Sequence, residues 1–332
     1  MERQHRIQAW LESLFPEQAI SLAPASADAS FRRYFRAVLS NGDHYIVMDA
    51  PPQYEDCHSF ITVAELFGAA GANTPKVLAQ DLAQGFLLLT DLGDVTYLSI
   101  LNAENAGALY NDALDALITI QRSSRPGILP EYDRVLLERE LQLLPEWYIT
   151  RHLGVELNAQ QIHTLDGVFE AILANNLAQA QVFVHRDYHS RNLMLTEPNP
   201  GVLDFQDAVY GPITYDLASL FKDAYICWDE EIMLDWVIRY WEKARQAGLP
   251  VSTDFGAFYR DFEWMGVQRH IKVLGIFARL YHRDGKTGYL KDMPLVMTYL
   301  RNTCARYREL EPLSQLLDTL QGQAPESAGL TF

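Results

Sequence analysis

Apolar residues in this chain change their spacing once, near residue 93, and this change limits the folds available to the chain. Before it, short segments rich in β-branched and aromatic residues are separated by turns, as in antiparallel strands. Two of these segments, 34–39 and 44–48, are joined by a connection containing Asn41-Gly42, a strong hairpin signal. After it, apolar residues recur at helical spacing. The sequence therefore predicts an α+β protein, with a small antiparallel sheet followed by a larger, mainly helical part.

The same patterns predict the remaining elements. We expect a helix at the start of the chain, because apolar residues recur at helical spacing before Pro16. The first part also has a predicted helix over 59–70, ended by Gly71, and predicted strands over 77–80 and 86–90. Later helices are predicted over 108–120, 136–148 and 162–177 and through most of 216–320. One β-like island, at 192–195 and 202–205, interrupts them, and 321–332 is predicted to be a loose tail.

Composition restricts the class of protein and its partners. The 332 residues are 48% hydrophobic and 21% charged, the balance of a globular chain long enough for about two domains. The 27 basic and 43 acidic residues give a net charge of −16, which disfavours nucleic acid and anionic membrane surfaces as partners. Three widely spaced cysteines indicate a reducing compartment, and no run approaches the roughly 18 apolar residues of a membrane span. We therefore expect a cytoplasmic protein.

Three oxygen-bearing side chains are placed by their spacing around the β-like island. A loop that carries Asp187 leads to Asn192, where the first strand begins, and Asp204 lies in the second strand. Because a hairpin returns the chain to its starting end, these side chains can converge there. Asn192 and Asp204 offer the hard oxygen ligands that Mg²⁺ prefers. Asp187 is placed to accept a proton from a hydroxyl group that attacks a nucleotide γ-phosphate, so it is the predicted catalytic base.

The order of these residues resembles the catalytic and magnesium loops of the protein-kinase superfamily. His185-Arg186-Asp187, followed by Asn192 and then by Asp204-Phe205, is that pattern. His189 stands where protein kinases usually carry a lysine, and it matches the His-x-Asp-x-His-x-x-Asn loop of aminoglycoside phosphotransferases and choline kinases. The resemblance implies a two-lobed protein-kinase-like fold and the small-molecule branch of the superfamily.

Asp216 and the short segment before it favour the same branch. Only eleven residues separate Asp204 from Asp216, which leaves no room for a regulated, protein-docking activation segment. Asp216 lies where a turn leads into a predicted helix. It can cap that helix, or, by resemblance, anchor the catalytic loop, and one side chain can do both.

Four strings carry a closer resemblance within the aminoglycoside-phosphotransferase family: 29–36, 145–148, 185–194 and 203–208. They are similar to the bacterial anomeric kinases for N-acetylmuramate and N-acetylglucosamine, which serve cell-wall recycling. The resemblance implies ATP-dependent phosphorylation of the anomeric hydroxyl group of such a sugar, giving the sugar 1-phosphate. Two alternatives stay open: a phosphotransferase for another small alcohol, such as an aminoglycoside or a choline-like substrate, and a nucleotide-binding pseudokinase.

The nucleotide-binding residues depart from the protein-kinase pattern. Met48 stands where those enzymes carry a phosphate-binding lysine, and residues 26–33 replace a Gly-rich loop. We expect backbone amides of this turn, with Arg32 or Arg33, to bind the nucleotide phosphates, while at least one of the two arginines faces solvent. By resemblance, the adenine lies against backbone groups of the hinge. The predicted nucleotide contacts are therefore Ser30, Phe31, Arg32, Arg33, Thr90, Asp91 and Leu92.

Sugar recognition needs polar groups that make paired hydrogen bonds, and an arginine would match a muramate carboxylate. The candidates are Arg186, Arg191, Asp207 and Glu140, with Trp147 and Arg269 as further possibilities. The resemblance implies a nucleotide-binding lobe of residues 1–93, a hinge at about 89–94, and a catalytic and substrate-binding lobe of residues 94–332. We expect a monomer whose ligands are ATP, Mg²⁺ and a small amino sugar.

Overall fold

The computed structural model describes residues 2–27 and 31–322. The chain divides into two compact units. The first comprises the residues up to Ile120 together with Arg191–Asp207, and the second comprises Gln121–Ser190 and the residues from Ala208 onward. An antiparallel sheet in the first unit and mostly helices in the second confirm the predicted α+β class. The division into lobes at a hinge near residues 89–94 stays a prediction, and 323–332 of the predicted tail lie outside the described residues.

Five antiparallel strands form the sheet of the first unit. They are β1 (Ile20–Ala27), β2 (Arg33–Leu39), β3 (His44–Asp49), β4 (Val77–Asp81) and β5 (Phe86–Thr90), in the order β1-β2-β3-β5-β4. The predicted Asn-Gly hairpin joins β2 to β3, with Gly42 at φ 93°. The sequence did not predict β1, because its Ala, Ser and Pro24 residues have low strand propensity. The extended conformation of β1 depends on its pairing with β2.

Helices close the core of the first unit. The helices up to residue 122 are α1 (Glu2–Leu14), α2 (Cys57–Ala70), α3 (Tyr97–Ile100) and α4 (Ala106–Arg122). The predicted first helix is confirmed as α1, whose Ile7 and Leu11 are buried against sheet residues such as Phe35 and Val47. The predicted second helix is confirmed as α2, which ends at Gly71 with φ 105°.

Four short strands make two further pairs, β6 (Gln181–Val184) with β9 (Val209–Pro212), and β7 (Leu193–Met194) with β8 (Gly201–Val202). The β7–β8 hairpin is the predicted β-like island and belongs to the first unit. It is held there because Val202 N–H donates to Asn73 C=O at 2.8 Å and Asn73 Nδ2 donates to Pro198 C=O at 2.7 Å. The β6–β9 pair, which the sequence did not predict, lies in the second unit, and β6 precedes the predicted catalytic loop.

The rest of the second unit is helical. Its elements are α5 (Arg134–Leu141), a π-helix (Leu144–His152), α6 (Ala159–Leu177), α7 (Tyr215–Phe221), α8 (Glu230–Gln246), α9 (Phe255–Asp284), a 3₁₀ helix (Thr287–Asp292), α10 (Met293–Cys304) and α11 (Glu311–Gln321). The single helix predicted over 136–148 is wrong: α5 ends at Leu141 and a π-helix follows, since Pro145 has no N–H to continue α-helical hydrogen bonding. Within 2–27 and 31–322, no helix is both long and apolar enough to cross a membrane.

Candidate active site

The catalytic loop predicted from the sequence follows β6 and is anchored by Asp216 in the first turn of α7. The backbone N–H groups of His185 and Arg186 donate to the two carboxylate oxygens of Asp216 at 2.6 and 3.0 Å. Arg186 has φ 77°, a left-handed conformation that a non-glycine residue keeps only where its surroundings hold it. Of the two roles expected for Asp216, the structure shows the anchor, because the N-cap of α7 is Thr214.

Asp187, the predicted base, is half-buried in this loop. Burial alone would raise the pKa of its carboxyl group, but nearby positive charges outweigh burial and hold that pKa well below its usual range. The largest of these charge effects comes from Lys272 of α9, and Arg269 and Arg186 add to it. Asp187 is therefore ionised near neutral pH and can accept a hydrogen bond from a hydroxyl group.

Glu140 of α5 holds two of these cations. It is buried, and its Oε1 accepts from Arg186 Nη2 at 2.6 Å and lies 3.1 Å from Lys272 Nζ. The Tyr132 hydroxyl donates to Oε2. Burial opposes ionisation of Glu140, but the two cations and the tyrosine keep its pKa below the usual value. The predicted sugar contacts Glu140 and Arg186 thus bind each other, in a network next to the catalytic loop.

A second carboxylate, that of Asp223, holds the end of the loop. Its Oδ2 accepts from the backbone N–H of Ser190 at 3.0 Å and from the Ser190 hydroxyl at 2.5 Å. The neighbouring His189 is buried, and burial lowers its pKa to about 4. His189 is therefore neutral near pH 7. Its Nδ1 atom has no hydrogen-bond partner among the residues that the structure describes.

The structure brings Asn192 and Asp204, the predicted metal ligands, together at the base of the β7–β8 hairpin. Asn192 Nδ2 is 3.5 Å from Asp204 Oδ2, and the N–H of Leu203 donates to the backbone carbonyl of Asn192 at 2.9 Å. Asp204 has φ 61°, and it and Arg186 are the two non-glycine residues with positive φ in the described part of the chain. Such strain marks functional loops more often than ordinary turns.

The donor set of Asn192 and Asp204 fits a magnesium ion. An amide oxygen and a carboxylate are hard ligands, and two protein ligands leave most of an octahedron for water and phosphate oxygens. Asp204 Oδ1 accepts from Gln206 Nε2 at 2.9 Å and lies 3.7 Å from Arg32 Nη2, so the carboxylate is oriented and its charge partly balanced. Over the described ranges, no group of three or more His, Cys, Asp or Glu residues is placed to hold a metal ion.

A cavity of about 390 Å³ lies in the first unit, within the size range of small-molecule sites. Asn192 and Asp204 line it, together with the predicted hinge contacts Thr90, Asp91 and Leu92. Its apolar and aromatic walls come from Ala25, Tyr34, Ile46, Phe60, Pro75, Leu89, Met194, Leu203 and Phe205. The cavity therefore combines apolar and aromatic walls with two hard oxygen ligands and the residues predicted as hinge contacts.

Asp91, in the segment predicted to be the hinge, and Arg36 bind each other in the lining of this cavity. Arg36 Nε and Nη2 donate to the two carboxylate oxygens of Asp91 at 2.5 and 3.0 Å, and Nη2 also donates to the carbonyl of Gly93 at 2.9 Å. Sequence reasoning missed Arg36 and Tyr34 as cavity residues. Strand alternation could have found them, because it places both on the face of β2 opposite the buried Phe35.

The adjacent residues Arg32 and Arg33 have different surroundings. The Arg32 side chain is only 11% exposed and lies beside Asp204, whereas that of Arg33 is 50% exposed and pairs with the buried carboxylate of Asp49. Met48, predicted to stand where protein kinases carry their lysine, is buried in the sheet. Arg32 is therefore the arginine that lies beside the predicted metal ligands.

The remaining predicted contacts are spread over the first unit. Arg191 lines the cavity. Asp207 is exposed and accepts from Gln206 Nε2 at 3.3 Å. Phe31 is exposed and stacks on Tyr54, with ring centroids 4.6 Å apart. Ser30 lies outside the described residues. None of these contacts decides a role, so the four residues stay predictions.

Lys272 is the charged residue near the predicted base that sequence reasoning missed most clearly. It is 7% exposed, and its Nζ donates to the Tyr215 hydroxyl at 3.0 Å besides pairing with Glu140. A lysine between Ile271 and Val273, in a helix otherwise rich in apolar residues, was the available signal. Burial of a cation needs an anionic partner, but the sequence does not show which acid supplies it.

Comparison with known proteins shows the family of this chain. The sequence profile described as "Phosphotransferase enzyme family" matches residues 21–250. The chain is 50% identical to an N-acetylmuramate/N-acetylglucosamine kinase of Neisseria meningitidis, over 100% of both chains. It is 50% identical to a protein of the same name from Pseudomonas aeruginosa, over 96% of this chain and 97% of that one.

Solved structures establish the fold. A choline kinase from Streptococcus pneumoniae superposes with a TM-score of 0.65 at 17% identity, over 92% of this chain and 100% of that one. An ADP-bound aminoglycoside phosphotransferase superposes with a TM-score of 0.58 at 16% identity, over 89% of this chain and 97% of that one. The predicted kinase-like fold is confirmed, and the chain belongs to the phosphotransferase enzyme family.

Proposed function

We propose that this protein is an ATP-dependent kinase that phosphorylates the anomeric hydroxyl group of N-acetylmuramate or N-acetylglucosamine, giving ADP and the sugar 1-phosphate. Such a reaction would serve recycling of cell-wall sugars in the cytoplasm. One observation carries the proposal: the chain is 50% identical, over its full length, to a kinase named for these two sugars. The charges around Asp187 support a phosphoryl transfer of this kind.

Asp187 would orient and deprotonate the acceptor. Its ionised carboxylate accepts a hydrogen bond from the anomeric O–H and takes the proton as the oxygen forms its bond to the γ-phosphorus, while the bond from that phosphorus to the β–γ bridging oxygen breaks. A carboxylate with a lowered pKa is a weak base. It suits a loose phosphoryl-transfer transition state, in which positioning contributes more than early proton removal.

The cavity of the first unit would bind the nucleotide. Hinge residues Thr90, Asp91 and Leu92 would contact the adenine, and Arg32 would take the phosphate-binding role of the absent lysine. Asn192 and Asp204 would hold Mg²⁺, which when bound neutralises charge on the phosphate oxygens. The strained backbone of Asp204 and its bond from Gln206 would orient the carboxylate for that purpose.

The charges of the second unit favour a neutral or anionic acceptor. Arg186, Lys272 and Arg269 all act on Asp187, and Glu140 is already taken up by two of these cations. An aminoglycoside or choline-like acceptor carries positive charge and would have to bind beside these three cations. Glu140 and Arg186 would accordingly act as positioning residues rather than direct sugar contacts.

Identification of the product by phosphorus NMR tests the proposal. The protein is incubated with ATP and Mg²⁺ and with each of N-acetylmuramate, N-acetylglucosamine, the methyl glycoside of N-acetylglucosamine, kanamycin and choline. We expect a sugar 1-phosphate with one or both free sugars and no product with the methyl glycoside, since its anomeric oxygen is blocked.

The matched variant is Asp187→Asn, which keeps the shape of the side chain and removes its charge. We expect kcat to fall by about a hundredfold or more, the range of a general base, with ATP affinity unchanged. A product formed only from kanamycin or choline contradicts the proposal. ATP binding without transfer to any acceptor would instead indicate a pseudokinase.

A further inference from the structure

Arg269 of α9 is a buried cation whose side chain the protein does not fully satisfy. It is 3% exposed, and its Nε atom has no hydrogen-bond partner within the described residues. A buried guanidinium with an unmatched donor opposes folding, because its hydration is lost without replacement. The attraction between its charge and Asp187 offsets part of this cost but leaves the Nε donor unmatched, and a ligand that supplies an acceptor would satisfy it.

The position of Arg269 gives that ligand a location. Residues three apart on a helix share a face, so Arg269 lies one turn before Lys272, whose Nζ is bound to Glu140 and Tyr215. The charge of Arg269 acts on both Asp187 and His189. His189 carries a second buried, unpartnered nitrogen, Nδ1, within the described part of the chain. Two unmatched polar groups thus lie around the predicted base.

We propose that Arg269 binds the acceptor sugar, donating its guanidinium N–H groups to an oxygen acceptor on a substituent close to the reacting hydroxyl group. The inference rests on the proposed function. Two oxygens have this chemistry: the acetamide carbonyl, which both sugars carry beside the anomeric carbon, and the lactyl carboxylate, which only N-acetylmuramate carries. A bidentate arginine suits either, and the carboxylate more strongly.

Calorimetric titration of each sugar into the nucleotide-free protein tests the inference, with KM values measured in parallel. Arg269→Met keeps the length of the side chain and removes its charge and donors, and Arg269→Lys keeps the charge and removes the fork. We expect Arg269→Met to raise Kd for sugar at least about tenfold and Arg269→Lys to raise it by less. Arg279→Met is the control, because Arg279 lies on the same helix and also has an unpartnered Nε within the described residues. We expect its Kd to match that of the unmodified protein.

The pattern of losses identifies the oxygen. An equal loss for both sugars assigns the acetamide carbonyl, and a loss confined to N-acetylmuramate assigns the carboxylate. The melting temperature of Arg269→Met should stay within a few degrees of that of the unmodified protein, since no hydrogen bond from Nε is lost and only the attraction to Asp187 is removed. An unchanged Kd for both sugars, or a lower melting temperature with unchanged Kd in Arg269→Lys, overturns the inference. Failure of the unmodified protein to phosphorylate either sugar overturns the proposed function instead.

Discussion

Arg32 and Arg33 show how adjacent residues in a strand-like segment separate into different roles. Arg32 Nη2 lies 3.7 Å from Asp204 Oδ1, whereas Arg33 pairs with the buried carboxylate of Asp49. We expect Arg32→Ala to raise Kd for ATP by about tenfold, because it removes a charge-assisted contact to phosphate. Arg33→Ala should leave Kd for ATP unchanged and lower the melting temperature by a few degrees, a small effect since Arg33 is half exposed. Fluorescence titration with a nucleotide analogue measures the first quantity and calorimetry the second. Unchanged nucleotide binding in both variants would show that neither arginine replaces the lysine.

Asp216 gives the site a pH dependence that Asp187 does not. Burial raises the pKa of Asp216 to about 6. The charge of His185 and the two backbone N–H groups that donate to the carboxylate lower this pKa, but burial outweighs them. As pH falls through about 6, protonation removes the charge that holds the catalytic loop, so we expect kcat to fall with it. Asp187 should cause no fall in kcat over this pH range, because its pKa lies well below the range.

The measurement is kcat between about pH 5 and 8, with N-acetylglucosamine, ATP and Mg²⁺ all saturating. Asp216→Asn cannot titrate, so its kcat should be lower but flat over the same range. If kcat of the variant still falls at low pH as it does in the unmodified protein, a group other than Asp216 causes the fall.

Individual site residues divide into those that local spacing reveals and those that it does not. Asp187, Asn192 and Asp204 could be singled out because one loop and one hairpin carry them. Lys272 was not singled out, and Arg269 was named only as a possible sugar contact, because both come from α9, distant in the sequence, and their relation to the loop depends on tertiary packing. The difference between Arg32 and Arg33 likewise required the partners Asp204 and Asp49 to be known.

At the scale of elements, α9 carries Arg269 and Lys272 and packs closely against Leu143, just before the π-helix. This close packing fixes the position of α9 and of its two cations. A Cβ atom added at Gly275 would lie 2.5 Å from the carbonyl oxygen of Leu143, which is too close for any relaxed contact. We expect Gly275→Ala to reduce the free energy of unfolding by about 1–3 kcal/mol, measured by urea denaturation. The control Gly167→Ala, on α6 with nothing within 4 Å, should be neutral or stabilising by up to about 1 kcal/mol. Equal effects of the two substitutions would contradict this role of Gly275.

Elements with strong local signals were predictable, and those that depend on a partner were not. The hairpin at Gly42 and α2, with its Gly71 end, follow from turn and cap residues. The strand β1 lacks strand-forming residues and takes its conformation from β2. The π-helix at Leu144–His152 keeps helical apolar spacing, so periodicity alone cannot distinguish it from an α-helix.

At the scale of the whole molecule, the net charge of −16 does not describe the local charge at the cavity of the first unit or around Asp187 in the second. Arg32 and Arg36 lie at or near the cavity of the first unit, and Arg186, Arg269 and Lys272 surround Asp187 in the second. Such local cations suit small anionic ligands, while the overall charge disfavours extended polyanions. The predicted absence of nucleic-acid partners and the monomeric state stay predictions.

The two units should respond separately to the two substrates, and hydrogen exchange can resolve this. We expect a non-hydrolysable ATP analogue with Mg²⁺ to slow amide exchange at 89–94 and 191–205, the segments that line the cavity of the first unit. N-acetylglucosamine alone should slow exchange at 185–190 in the second unit, because the loop that carries Asp187 would contact the sugar. In Asp204→Asn, the nucleotide effect should weaken and the sugar effect should persist, since Asp204 belongs to the first unit. Protection of 185–190 by the nucleotide analogue alone, with none at 89–94, would place the nucleotide elsewhere and contradict the assignment of the cavity.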